Sequence, residues 1–264
     1  MTTSLGLPWR VLKPFLTGGW SAAWRGGVDL VFPPHSLDTT PTGGAPQVQG
    51  LSADAWTRIR FLEDPVCDGC GAPFEYDTGY PCAACSARPR AFARARAACI
   101  YDEASRDLIL QFKHADRTDL ARLFAAWIGR AGAPLLSDAD AIMPVPLHPG
   151  RLFSRRYNQA AEIARPLGRR FGLLYLPDTL QRLRATGGQG GKSGAGRRRN
   201  VAGAFAVRPG GAALIEGKRI LLIDDVMTTG ATAEACARVL LKAGASAVDV
   251  AVVARVQEAA NLTT

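Results

Sequence analysis

From about residue 97 onward, apolar positions recur with a period that switches between two and about 3.6, and this predicts strands alternating with helices. Ala97 to Tyr101 reads as a short strand, Ser105 towards His114 as a helix, and Leu120 to Arg130 as a second helix. Ala141 to Pro146 is apolar enough for a buried strand that ends in a loop. Asn158 to Phe171 follows as an amphipathic helix, and Leu180 to Leu183 as a short strand. The run from Lys218 to Asp224 is the clearest strand of the chain. Gly230 to Ala243 then carries Ala, Cys, Val and Leu at helical spacing and stops at Gly244, and Ser246 to Arg255 forms a last strand. This order predicts an α/β fold, a parallel sheet flanked by helices with ligands at the carboxyl ends of its strands.

Upstream the pattern is different. Residues 1–60 are rich in Gly, Pro, Thr and Trp, with no sustained helical period, and predict one or two short helices and a poorly ordered linker from Pro33 to Gly50. Residues 61–95 hold two cysteine pairs among Gly and Pro turns, and the α/β unit occupies residues 96–264. Within that unit the stretch ATGGQGGKSGAG offers no core-forming side chains and predicts a mobile loop.

Composition bounds the class without naming the chemistry. The 264 residues are 47% hydrophobic and 21% charged, enough for an ordinary core, and no apolar run approaches the roughly 20 residues of a membrane span. The first sixteen residues show no secretory pattern, so the expected compartment is the cytoplasm. Charge is more telling. Residues 151–200 carry twelve Arg and Lys against Glu162 and Asp178, a local +10 in a chain of net +9. A positive field confined to one segment predicts a phosphorylated small molecule or a nucleic-acid backbone as partner, against the plain alternative of a solvated basic face.

Ile220 to Thr232 carries the most specific chemistry. Four apolar residues deliver Asp224 and Asp225 to the end of a strand, where paired carboxylates can accept hydrogen bonds from vicinal hydroxyls. Thr228, Thr229, Gly230, Ala231 and Thr232 then open a helix, whose backbone N–H groups can close around a phosphate. By contrast, Thr186 to Ser193 only imitates an ATP-binding loop. It lacks Gly at Thr186, and Gly194, Ala195, Gly196 and the Arg197 to Arg199 triplet are not expected to nucleate the helix such a loop needs.

The stretch Ile220 to Thr232 resembles the phosphoribosyl-pyrophosphate (PRPP) signature of type I phosphoribosyltransferases. The resemblance implies that Asp224 and Asp225 hold the ribose hydroxyls while Thr228 to Thr232 cradle the 5′-phosphate. Purine-salvage members have an Asp at the position of Thr228, so purine salvage is disfavoured. Pro144-Val145-Pro146-Leu147-His148, Arg155 to Gln159, Arg182 through Gln189 to Val201, and Ala204-Phe205 resemble the ComF family, named for DNA-transformation competence. That family has Gly and Phe where this chain has Arg156 and Tyr157, a departure that bears on the turn there. The likeness implies that Val145, Pro146, Leu147 and His148 form a pyrophosphate loop and that residues 182–200 form a hood over the site. Arg182, Arg184, Lys192, Arg198 and Arg199 are candidates to surround PRPP and its Mg²⁺ and to stabilise a leaving pyrophosphate. A member without enzyme activity would instead bind single-stranded DNA or proteins of the competence machinery. Phe153, Tyr157, Phe171, Tyr175 and Phe205 are the aromatic side chains near the basic segment.

Cys67-x2-Cys70, eleven residues, then Cys82-x2-Cys85 matches the spacing of short zinc ribbons and predicts a structural Zn²⁺ held by four thiolates. Two disulfides are the rival reading, disfavoured in a cytoplasmic protein. ComF-like chains often carry another cysteine pair upstream, where this chain has Pro33-Pro34-His35-Ser36. Cys99 and Cys236 lie on predicted core faces and read as inert packing residues.

Overall fold

The computed structural model describes residues 47–48, 51–76, 80–114, 117–185 and 194–257. Five strands form one sheet: β3 (Arg94–Ile100), β4 (Ala141–Pro144), β5 (Leu174–Tyr175), β8 (Arg219–Met227) and β9 (Ala247–Arg255). Their spatial order is β3-β9-β8-β4-β5 and every pairing is parallel. Two short antiparallel pairs stand beside it, β1 (Gln47–Val48) with β2 (Leu51–Ser52) and β6 (Leu180–Arg182) with β7 (Phe205–Val207).

Buried on both faces, β8 needs a continuous apolar run, and Ile220 to Ile223 are wholly inaccessible. Leu221 and Ile223 face one core, which is completed by α3 (Glu103–His114), α4 (Leu120–Ala131) and α7 (Gln159–Phe171). Ile220 and Leu222 face a second core, filled by Cys236, Ala237 and Leu240 of α10 (Ala231–Lys242) and by Leu180, Val201 and Phe205 from the β6–β7 side. Each such buried aliphatic side chain contributes ~1.5–3 kcal/mol relative to exposure. After β4 the chain crosses through α7 to β5, on one side. After β8 it crosses through α10 to β9, on the other side. The β4/β8 crevice is therefore the switch point, the place where open parallel sheets bind ligands.

Three sequence expectations change. The strand starting at Ala97 begins instead at Arg94, because Arg94 pairs with Asp249 at 2.8 Å and Arg96 with Asp68 at 2.6 Å, so both charges are tolerated in β3. Strand β8 runs past Asp224 to Met227, since its ladder with β9 continues through Asp224↔Val252 to Met227↔Arg255. Gly194 to Val201 is helical (α8), contrary to the expectation that this Gly- and Arg-rich segment would not nucleate a helix. Tertiary packing overrides weak propensity there: Val201, Ala204 and Phe205 are buried in the second core. The rest of the expected mobile loop, residues 186–193, lies outside the described residues, as do residues 1–46. No helix among the described residues is long and apolar enough to cross a membrane.

Candidate functional site

At the carboxyl ends of β4 and β8 lies a cavity of about 360 Å³. Asp224, Asp225, Thr228, Gly230, Ala231 and Thr232 line one wall, and Val145, Pro146 and Leu147 from the end of β4 line the other. Arg151, Arg155 and Arg182 border it as well, so cations surround the two carboxylates. Helix α10 starts at the cavity. Gly230, at φ 73°, precedes its first residue, a left-handed conformation that suits glycine.

The carboxylates differ. The Asp225 backbone N–H donates to Asp224 Oδ1 at 2.9 Å, but burial and the neighbouring Asp225 charge push Asp224 up to about 7. Asp225 instead pairs with Lys113 Nζ at 2.9 Å, and only 17% of each side chain is exposed. Burial lowers the Arg182 guanidinium, as does the like charge of Arg151. Arg182 also lies over the Phe205 ring, 5.3 Å from its centroid.

Asn158 shapes the wall opposite the carboxylates. Its Oδ1 accepts from Ala160 N at 3.1 Å as the cap of α7, and its Nδ2 donates to the Val145 carbonyl at 3.1 Å, which ties the β4 loop to that helix. Arg156, where the resemblance noted from sequence expects a glycine, holds a left-handed φ of 63° at the end of α6 (Pro149–Arg155), so the turn is made with a side chain in it. The Tyr157 hydroxyl donates to the Phe112 carbonyl and ties the end of α3 beside Lys113.

Other predicted residues stand elsewhere. His148 Nδ1 accepts from Gly150 N at 3.2 Å and caps α6, outside the cavity lining. Arg184 turns to the Ala202 carbonyl at 2.6 Å, and Arg199 is exposed. Thr229 is absent from the lining too, with its carbonyl bonded to Arg90 Nη1 at 3.0 Å behind the loop. Lys192 and the Arg198 side chain lie outside the described residues. Lys113, Tyr101 and Arg151 line the cavity without having been named as site residues from sequence, and Gln159 lines it from within the Arg155 to Gln159 motif. Arg151 and Gln159 flank the β4 loop and so were within reach of motif reading. Lys113 and Tyr101 arrive from other elements and carry no local signal.

The thiols of Cys67, Cys70, Cys82 and Cys85 lie within 4.8 Å of one another, all buried and all free of disulfides. A tetrahedral ion with bonds of ~2.3 Å to sulfur spaces its ligands by about 3.8 Å. The Cys70–Cys82 sulfur separation is 3.5 Å, and Cys82 N donates to Cys67 Sγ at 3.3 Å, so the cluster fits such an ion. Arg255 Nη1 is 3.7 Å from Cys70 Sγ, and the Arg90 guanidinium opposes the upward push of burial on Cys85. These cations suit a centre whose four thiolates exceed the charge of one divalent ion. Cys99 and Cys236 are wholly buried in the two cores.

The family described as phosphoribosyl transferase domain matches residues 160–262. DNA utilization protein YhgH of Escherichia coli (strain K12) is 31% identical over 199 residues, which cover 74% of this chain and 86% of that protein. Competence protein F of Haemophilus influenzae is 30% identical over 210 residues, covering 76% of this chain and 88% of that protein. Among solved structures, glutamine PRPP amidotransferase from B. subtilis aligns at 22% identity and a TM-score of 0.33, over 53% of this chain and 26% of its own length.

Proposed function

The chain belongs to the ComF family, and on that footing we propose that it binds PRPP with Mg²⁺ in the β4/β8 crevice and transfers phosphoribose to a nitrogen nucleophile. One observation carries the reading: Asp224 and Asp225 share a single cavity with the Thr228–Thr232 loop at the start of α10 and with three arginines. Asp224 and Asp225 accept the ribose 2′ and 3′ hydroxyls. The first-turn amides and the hydroxyls of Thr228 and Thr232 hold the 5′-phosphate. Val145 to Leu147 present the loop for pyrophosphate, with Arg182, Arg151 and Arg155 placed for its charge. Bound Mg²⁺ supplies further neutralisation of that leaving group. In the transfer the nucleophile's lone pair forms a bond to ribose C1, the C1–O bond breaks, and its electron pair departs with pyrophosphate. The nucleophile's proton passes to solvent.

Zn²⁺ in the four-cysteine centre, a cytoplasmic location, and a division into residues 1–60, a cysteine module at 61–95 and a phosphoribosyltransferase-like domain at 96–264 belong to the same proposal. Incubation with PRPP, Mg²⁺ and a panel of nucleobases and amines tests the transfer. Pyrophosphate release with one acceptor supports it, and binding of PRPP without release across the panel favours a non-enzymatic role.

A second reading, binding of single-stranded DNA, is favoured by Phe153. It is 91% exposed and flanked by Arg151, Arg155 and Arg156, the combination of stacking face and cations that single strands require. The names of the two relatives refer to DNA utilization and competence.

A further inference from the structure

The underside of the loop Thr228–Thr232 rests on the cysteine module. Cys70, Ala84, Arg90, Phe92 and Arg255 share one small cleft with Met227 to Gly230. Arg90, five residues beyond Cys85, lines this cleft and is mostly buried. Its Nη1 donates to the Thr229 carbonyl at 3.0 Å and lies 3.9 Å from Glu234 Oε2. Glu234 is buried in the first turn of α10 and also receives Arg88 at 2.9 Å and Arg238. On the far side of the cleft, Arg255 Nη1 donates to the Cys70 carbonyl at 2.9 Å.

The direction of the Thr229 carbonyl matters for the cavity. In a trans peptide the C=O and the following N–H point opposite ways. A carbonyl drawn down to Arg90 therefore turns the Gly230 N–H away from Arg90, and Gly230 lines the cavity as well as the cleft. Arg90 follows Cys85 by only five residues, so an ion held by Cys82 and Cys85 would fix the segment that carries this guanidinium.

We propose that Arg90 couples the four-cysteine centre to the phosphate-binding loop as a positioning residue, so that metal occupancy of Cys67, Cys70, Cys82 and Cys85 sets the affinity of the loop for a phosphoryl group. This rests on the reading of Thr228–Thr232 as a phosphate cradle. Full-length Arg90→Gln, Arg90→Lys and Arg88→Gln chains are compared with the unaltered protein for zinc content, amide hydrogen exchange without ligand, and calorimetric affinity for PRPP with Mg²⁺. At full zinc content, Arg90→Gln is expected to lose amide protection at residues 228–232 and to bind PRPP roughly tenfold more weakly, the loss of one charge-assisted hydrogen bond. Chelation of the unaltered protein is expected to do the same, while Arg90→Gln gains little further loss from chelation. Arg90→Lys restores part of both readouts, and Arg88→Gln, which reaches Glu234 but not the loop, changes neither. Protection at Ile220 to Ile223 reports whether the sheet stays intact; if chelation unfolds it, the zinc-loaded Arg90→Gln chain decides alone. Unchanged loop exchange in that chain overturns the coupling. An unaltered protein that binds no PRPP overturns the phosphate reading instead, and the exchange readout still decides the coupling.

Discussion

Replacing Lys113 by Met strips the partner from Asp225 and leaves two carboxylates side by side at the end of β8. With Nζ and Oδ2 2.9 Å apart, the gross attraction at an effective dielectric of ~20 is about 6 kcal/mol. Desolvation of the two groups offsets most of it. Exposed pairs retain ~0–1 kcal/mol, and stripping one partner from a fully buried pair costs ~3–5 kcal/mol. Side chains that are 17% exposed fall between these limits, so the coupling in a double-mutant cycle of Lys113→Met with Asp225→Asn is expected to be ~1–3 kcal/mol. Urea unfolding of the four chains at neutral pH measures it. Lys113→Met alone should destabilise, and adding Asp225→Asn should recover part of the loss. A coupling within about 0.5 kcal/mol, the scatter of independent sites, refutes the claim that Lys113 holds the second carboxylate in the ligand-free site.

The four-cysteine centre should yield one zinc per chain by elemental analysis, and chelation should raise amide exchange across residues 65–90 before the sheet responds; purified protein without metal counts against the centre. Asp224 sits near 7, above its ordinary range, so the folded chain binds the extra proton and ligand-free stability should decline as pH rises towards 7. Asp224→Asn should remove that part of the slope in urea titrations at several pH values, and an identical slope in the variant excludes Asp224 as its source. If DNA is bound at α6, fluorescence anisotropy should show affinity falling steeply with salt, and Phe153→Ala should cost ~1–3 kcal/mol. A flat salt response rules out a phosphate-led mode.

The parts of the fold legible in the sequence are those whose signal is local. Ile220 to Ile223 announce a strand buried on both faces because four consecutive apolar side chains have no other use before paired aspartates, and the Cys-x2-Cys pairs announce one centre because the turns between them are short. Charged strand positions were opaque: Arg94 and Arg96 hid the start of β3, since the carboxylates that accommodate them, Asp249 and Asp68, lie far away in sequence. Helix α8 was hidden for a related reason, its support coming from burial at Val201 rather than from its own residues. The same holds at the site. Lys113 comes from α3 and Arg90 from the cysteine module, and each meets its partner more than 100 residues away, at Asp225 and Thr229. Several nearby arginines were named for their charge within the expected hood, and Arg184 shows the limit of that signal, since its guanidinium serves the Ala202 carbonyl.

Asp224 and Asp225 are proposed to bind the ribose of PRPP at the β4/β8 crevice. Calorimetric titration of PRPP with Mg²⁺ into the unaltered protein and the Asp224→Asn, Asp225→Asn double variant tests this. Saturable binding by the unaltered protein, lost in a variant that keeps its fold, is the expected result. Equal affinity in both, or no binding by the folded unaltered protein, contradicts the account.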